Sequence, residues 1–274
     1  MDVRAFATGL RELEPGYWVA ANNDAVSYPE HGHSSCFELE DSSYWFRHRN
    51  ICVASIVARF PPGGVVIDIG GGNGFVALGL RQAGFETMLV EPGAAGARNG
   101  FARGLRPVAQ ATFENAGFLP QSLAAIGVFD VVEHIEEDAA FLEGIRAALR
   151  PGGRLYVTVP AFPWLWSPED IEAGHFRRYT RSSLERLLVG AGFEIDFASY
   201  FFWLLPLPIF LLRSVAGRLR IRKAGGQISS REHKKPGGAQ GALLDRLLAS
   251  EAERLRQGRS VPFGSSLLAV ARKP

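Results

Sequence analysis

Apolar positions along this chain follow two alternating patterns. Predominantly apolar stretches at 65–69, 86–90, 107–109, 123–129, 154–159, 193–200 and 265–271 read as strands. A strand buried on both faces needs an apolar residue at nearly every position. Between the runs lie stretches with helical spacing, at 73–84 and 94–103. A third carries Phe141, Leu142, Ile145 and Leu149, and a fourth carries Leu184, Leu187, Leu188 and Ala191. Glu136, Glu137 and Asp138 suit the positive end of the third helix, and Thr180 suits the cap of the fourth. Gly84 and Pro151-Gly152-Gly153 are stop signals. Strands alternating with helices predict an α/β fold with a parallel sheet and right-handed crossovers.

The flanks break this rhythm. Residues 1–43 read as irregular and polar-aromatic, with Pro15-Gly16 and Pro29, and are expected to pack over the ligand face. Ser42 or Ser43 can cap a helix running to about Val57, which Pro61-Pro62-Gly63-Gly64 ends. Phe201–Leu212 is strongly apolar, holds two prolines and is too short to span a bilayer. Arg213, Arg218, Arg220, Arg222 and Lys223 follow it. Such a pairing suits either a lid or substrate wall backed by a solvated basic helix, or a peripheral membrane contact through 201–223. Residues 224–241 read as a loop, and Leu243–Leu255 as a charged amphipathic helix. The expected organisation is a cap over 1–60, a core over 61–200, an insertion over 201–257 and a final core strand in 258–274.

Composition narrows the picture. The 274 residues carry a formal net charge of +2 and are 47% hydrophobic, enough for a full core. The near-neutral balance gives no reason to expect nucleic acid as a partner. Cys36 and Cys52 make neither a disulfide framework nor a metal-type spacing, so no metal is expected. Charged residues interrupt any apolar run at the N-terminus, and the expected compartment is the cytoplasm, with membrane association left open.

The chemistry concentrates after the first run. Val65-Val66-Ile67-Asp68-Ile69 leads into Gly70-Gly71-Gly72-Asn73-Gly74. Glycines directly after a buried strand allow a tight turn and close approach of a ligand to the backbone. Glu91 ends the next run about 20 residues on, the spacing at which an acid reaches a ribose hydroxyl pair. A dinucleotide fingerprint would need a third glycine where Phe75 stands, and no phosphate-binding lysine follows. A turn with an upstream acid and no base suits an adenosine ligand bearing an ammonium group and no phosphate, such as S-adenosylmethionine.

Asp68–Gly74 resembles the first motif of class I S-adenosylmethionine-dependent methyltransferases, and Glu91-Pro92 their second acid. Phe129-Asp130-Val131-Val132-Glu133-His134 is similar to the fourth-strand motif of the ubiquinone-biosynthesis-like branch (methyltransferase types 11, 12 and 23). Leu149–Leu155 resembles its turn into the fifth strand. The resemblance implies a Rossmann-like, mostly parallel seven-stranded sheet with an antiparallel last strand, an N-terminal helical cover and an insertion before that last strand. It also implies that Asp68, Gly70, Gly72 and Gly74 hold the amino-acid end of the cofactor, that Glu91 holds its ribose and Pro92 its adenine. Thr112, Phe113, Phe129 and Asp130 would complete the cofactor site. Arg47 is a candidate partner for the cofactor carboxylate, and Trp45 and Phe46 could cover the sulfonium or the acceptor.

His134 and His175 are the candidate bases, since imidazole titrates near neutrality. The loop Asp170–Tyr179 adds Tyr179 as a further catalytic candidate. Trp164, Arg177 and Arg178 are candidates for the acceptor side, the arginines for an acidic group. The expected activity is methyl transfer to a small or lipid-like amphipathic acceptor by a monomer or homodimer, with oxygen preferred over nitrogen as the atom methylated. Two alternatives stand beside it: an enzyme that attacks the aminobutyryl chain and releases methylthioadenosine, and a non-catalytic cofactor-binding accessory protein.

Overall fold

The computed structural model describes residues 1–21, 37, 39–215 and 237–274, with backbone alone at 212 and 213. Pro29, Cys36, Arg218, Arg220, Arg222, Lys223 and most of the 224–241 loop lie outside the described residues. The described chain builds one sheet from β1 (Leu10–Glu14), β2 (Tyr17–Ala20), β3 (Val66–Ile69), β4 (Thr87–Val90), β5 (Val108–Gln110), β6 (Leu123–Phe129), β7 (Leu149–Pro160), β8 (Glu194–Phe201) and β9 (Ser266–Arg272). Their order is β1-β2-β5-β4-β3-β6-β7-β9-β8. The inner pairs from β2 to β7 are parallel, and β9 runs antiparallel between β7 and β8. This is the Rossmann-like sheet the sequence predicts, with the last strand reversed.

The strand count corrects the seven expected. Leu10–Glu14 and Tyr17–Ala20 form a hairpin that adds to the sheet beside β5, where the sequence reading had irregular cover. Gly16, at φ +78°, turns the chain between them. Three of the five residues of β1 are exposed, as expected of an edge strand with solvent on one side. β7 also runs longer than its apolar pattern. It starts at Leu149 directly after the preceding helix and carries Pro151-Gly152-Gly153 within it.

Helices cover both faces. α1 (Tyr44–Arg59), α2 (Phe75–Gln82), α3 (Ala94–Ala102), α4 (Asp138–Ala148), α5 (Pro168–Glu172), α6 (Arg181–Gly190), α7 (Pro206–Ile209) and α8 (Gly238–Arg256) are the α-helices among the described residues. Phe141, Leu142 and Ile145 of α4 pack with Leu184 and Leu188 of α6 against Ile67, Val128 and Val157 on one face. On the other, Val53 and Ile56 of α1 pack with Leu248 and Leu255 of α8 against Val66 and Tyr156. Each such fully buried side chain contributes roughly 1.5–3 kcal/mol. Ser43 caps α1 by accepting the amides of Trp45 and Phe46, and Thr180 caps α6 through a reciprocal bond with Ser183.

A buried polar clamp fixes how the chain leaves β8. Phe202 stands at φ +60°, an unusual turn for a bulky residue. Glu251 of α8 accepts the Phe202 amide through Oε2 and the Trp203 amide through Oε1, both at 2.9 Å. His48 of α1 meets Glu251 Oε2 at 2.6 Å, and Cys52 lies 3.3 Å from the same imidazole nitrogen. One carboxylate thus joins α1, α8 and the 201–203 turn. Glu251→Ala leaves the buried Phe202 amide and the part-buried Trp203 amide without an acceptor. Its expected cost is about 3 kcal/mol, read as a lower urea midpoint; an unchanged midpoint would contradict the clamp.

Candidate active site

The parallel strands β3, β4, β5, β6 and β7 all end at one edge of the sheet, the edge at which open α/β folds bind ligands. Gly70, Gly72 and Gly74 follow β3 with φ of +66°, +56° and +74°. Their surroundings differ. A Cβ on Gly74 would run into Leu105 at 2.4 Å, so that glycine serves packing. A Cβ on Gly72 would meet nothing within 4 Å, so the turn is open there and its backbone can be approached closely.

Two buried carboxyls flank this turn. Glu91, 4% exposed, accepts the Gly72 amide on Oε2 at 2.8 Å and the Gly93 amide on Oε1 at 2.7 Å. Burial pushes its carboxyl up to about 7, against the pull of the Gly93 and Gly72 amides. Asp68 is fully buried, and neither of its oxygens has a hydrogen bond of normal geometry. Burial pushes Asp68 up to about 7 as well; Arg49 and the Ala77 amide oppose the shift and Glu91 adds to it. A buried carboxyl without a full set of donors favours an incoming cation. An ammonium group with an adjoining ribose fits this pair. Glu40 reaches the same turn from outside, accepting from Asn73 Nδ2 at 3.2 Å and pairing with Arg103 at 2.8 Å.

Arg47 is exposed and Arg49 half-buried. Two residues further along a helix turns the side chain by about 200°, which carries Arg49 into the site. Its guanidinium hydrogen-bonds Asp130 Oδ2 and lies 5.1 Å from the Trp45 ring centre and 5.4 Å from that of Phe46. Asp130, at φ +58°, also accepts the Thr158 hydroxyl at 3.1 Å. Trp45 is half-buried and stacks on Phe202 at 5.3 Å, while Phe46 is buried against Phe75. Pro92 and Thr112 are half-buried, and Thr112 accepts the Asn115 amide. Phe113 and Phe129 pack into the hydrophobic core.

Beyond β6 the structure gathers Glu133, His134 and His175. The two imidazole rings sit 4.7 Å apart, edge to face. Asp170 holds His175 by accepting from Nδ1 at 2.8 Å. Burial would raise Asp170, but the hydrogen bonds from His175 and Arg178 outweigh it and hold the carboxyl at about 2. Burial lowers His134 to about 4, the neighbouring His175 helps, and Asp130 and the Gly174 carbonyl oppose. Burial, reinforced by Asp130, also holds Glu133 well above the usual carboxylate range. One donor atom from each of Glu133, His134 and His175 lies within 4.8 Å of the others, close enough for a divalent cation to draw them together.

Three of the expected catalytic and acceptor-side residues have partners within the protein. Tyr179 is buried and donates its hydroxyl to Asp138 at 2.8 Å; burial and that carboxylate hold its phenol above its ordinary range. Arg177 donates to Asp138 and to the Glu136 carbonyl, at 2.8 and 2.7 Å. Arg178 donates to both oxygens of Asp170 and to the Ala161 carbonyl. These groups brace the loop that carries His175. Trp164 is 39% exposed, at the outer rim.

Residues 45–196 match a family model described as a methyltransferase domain. The chain belongs to the class I S-adenosylmethionine-dependent methyltransferase family, and S-adenosylmethionine is its cofactor. A probable S-adenosylmethionine-dependent methyltransferase of Mycolicibacterium smegmatis is 27% identical over 163 residues. That match covers 58% of this chain and 62% of the relative, so the chain spans less than two thirds of the relative's length. Among solved structures, a putative methyltransferase of Haloferax volcanii in complex with its Trm112 activator superposes with a TM-score of 0.56 at 15% identity. It covers 89% of this chain and 94% of that one. A possible histamine N-methyltransferase of Thermotoga maritima gives 0.55 at 16% identity, over 89% and 95%. A phosphoethanolamine N-methyltransferase of Haemonchus contortus with S-adenosylmethionine gives 0.54 at 19%, over 92% and 59%. At these identities the likeness is one of fold.

The raised carboxyls carry a pH signature in the cofactor-free protein. Asp68 and Glu91 ordinarily titrate at 3.8 and 4.5 and reach about 7 in the fold. The folded state therefore binds more protons between those limits, and stability falls as pH rises from about 4 to about 7. Urea unfolding at pH 5 and pH 8 should differ by roughly 3 kcal/mol for each carboxyl. Asp68→Asn should remove about half of that difference; a variant with the full difference would contradict the Asp68 assignment.

Proposed function

We propose that the chain transfers the methyl group of S-adenosylmethionine to a small or amphipathic acceptor, with oxygen preferred over nitrogen as the methylated atom. The observation that carries this reading is the pair of buried carboxyls around the open glycine turn. In it, Asp68 and the backbone of Gly70–Gly74 hold the ammonium and carboxylate ends of the cofactor. Glu91 hydrogen-bonds the ribose hydroxyls. Pro92 and Thr112 stand beside the adenine, and Arg49, fixed over Trp45 and Phe46, faces the cofactor from α1. The cofactor supplies the electrophilic methyl carbon. The protein's tasks are to align acceptor, methyl and sulfur and to exclude water.

The preference for oxygen rests on His175. The Asp170 carboxylate only accepts, so it keeps the imidazole proton on Nδ1 and leaves Nε2 free to take a proton from a hydroxyl. An amine acceptor would need this help less. His134, half-buried and held neutral, packs against His175 and narrows the space the acceptor can occupy. The arrangement around His175 is the one in which a base is held by a carboxylate and by a loop braced through Arg177, Arg178 and Tyr179. A second reading follows from Glu133, which places a third donor beside the two imidazoles: the cluster holds a divalent cation that takes the acceptor oxygen.

Three measurements test the proposal. Incubated with S-adenosylmethionine and metabolite pools, the protein should yield S-adenosylhomocysteine by mass analysis; methylthioadenosine would show attack on the aminobutyryl chain. Glu91→Ala should weaken calorimetric cofactor binding at least about tenfold, and near-unchanged affinity would contradict the ribose assignment. His175→Ala should lower kcat about 100-fold with cofactor affinity held within about twofold. Full activity would remove His175 as the base. Activity lost to a chelator and restored by added metal would favour the cation instead.

A further inference from the structure

The exposed apolar side chains are unevenly spread. Among the described residues thirteen large ones are exposed, and six of them (Trp164, Ile171, Trp203, Leu207, Leu211 and Phe263) belong to one rim. Trp164 follows the end of β7, Trp203 follows β8 and Phe263 precedes β9. The register pairs Pro160 of β7 and Phe201 of β8 with Ser266 of β9, so all three positions stand at the carboxyl edge, the edge that also carries the turn after β3. Trp164 joins the parts. Its ring lies 5.4 Å from Phe210 and 6.3 Å from Phe263. The α5 helix carrying Ile171 packs against the 210–215 turn. Trp203, Leu207 and Leu211 recur every four residues, the spacing that lines one side of a helical segment.

We propose that this rim docks on an anionic lipid bilayer and holds the active-site mouth against it, so that the acceptor reaches His175 from the membrane. The inference rests on the amphipathic-acceptor reading above. The charge pattern commits the occupant. From 197 to 231 the sequence has no Asp or Glu, and Arg213, Arg218, Arg220, Arg222, Lys223 and Arg231 supply six positive charges directly after the apolar residues. Apolar side chains with tryptophan, followed in the sequence by a basic run that lies largely outside the described residues, are the composition that suits a bilayer surface with its acyl boundary and negatively charged headgroups. A protein partner with an apolar groove would not need that excess of cations. No helix among the described residues is long and apolar enough to cross a membrane, so the contact lies on the surface. The Glu251 clamp gives the projecting segment a rigid base, and Phe202 stacks on Trp45, at the start of the helix that carries Arg49.

Vesicle flotation of the full chain tests this. The wild type should float with phosphatidylcholine vesicles containing about 30% phosphatidylglycerol and remain largely unbound with phosphatidylcholine alone. The double variant L207E/L211E should lower the bound fraction about tenfold, while binding S-adenosylmethionine with wild-type affinity, which shows that it folds. A wild type that stays unbound on the anionic vesicles, or a variant that floats equally well, would overturn the proposal. Cofactor titration of the same samples keeps the two readings apart: lost cofactor binding in the wild type would sink the proposed activity and leave the flotation result standing.

Discussion

The Glu91 carboxylate is the constraint on which the site depends. It ends a strand buried on both faces, and it holds one amide from the glycine turn and one from the start of α3. Two loops from different strands are thereby fixed relative to one another with a single side chain. The arrangement carries a tension: a carboxyl this deeply buried is pushed towards neutrality, and so is Asp68 across the turn. In the proposed reading, an adenosine ligand with a cationic end relieves that tension by bringing hydroxyl donors to one carboxyl and positive charge to the other. Cofactor binding and local stability are in this sense the same property of the crevice.

Around the crevice the chain uses charge mainly for bracing. Asp138 and Asp170 collect Arg177, Arg178, Tyr179 and His175 into one loop. Burial makes such pairs weak sources of stability but strong sources of geometry, because a broken pair leaves a charge stranded. The loop therefore holds His175 in one orientation without rigid secondary structure of its own. On the outer side, Glu251 and His48 do the same for the segment after β8. Both devices place chemistry or apolar surface at the carboxyl edge of the sheet.

The sheet core was legible because its strands are continuous apolar runs, a pattern few other structures share. The edge hairpin was not. Arg11-Glu12-Leu13-Glu14 has no apolar run, and only its pairing with β2, which in turn joins the sheet at β5, makes it a strand. Asp68, Glu91 and the glycines were legible since strand–acid–turn spacing is local. The partners of the arginines were not legible for the opposite reason: a loop dense in His, Arg and Tyr reads as ligand-facing, and only the fold brings its acids, one of them as far back as Asp138, to engage it. Arg47 and Arg49 differ only in helical phase, and the capping residue Ser43 alone does not settle which side of α1 faces the site. Glu133 beside two histidines could have been suspected from the Glu-His pair, but His175 lies 41 residues on and joins it only through the fold.

The central claim is that the turn after β3 holds the methionine half of the cofactor and Glu91 its sugar. A crystal structure with S-adenosylhomocysteine tests it most directly. The account predicts both ribose hydroxyls within hydrogen-bond distance of the Glu91 carboxylate and the ligand's ammonium group beside Asp68 and Gly70. A nucleoside bound elsewhere on the sheet, or a ribose that avoids Glu91, would contradict it.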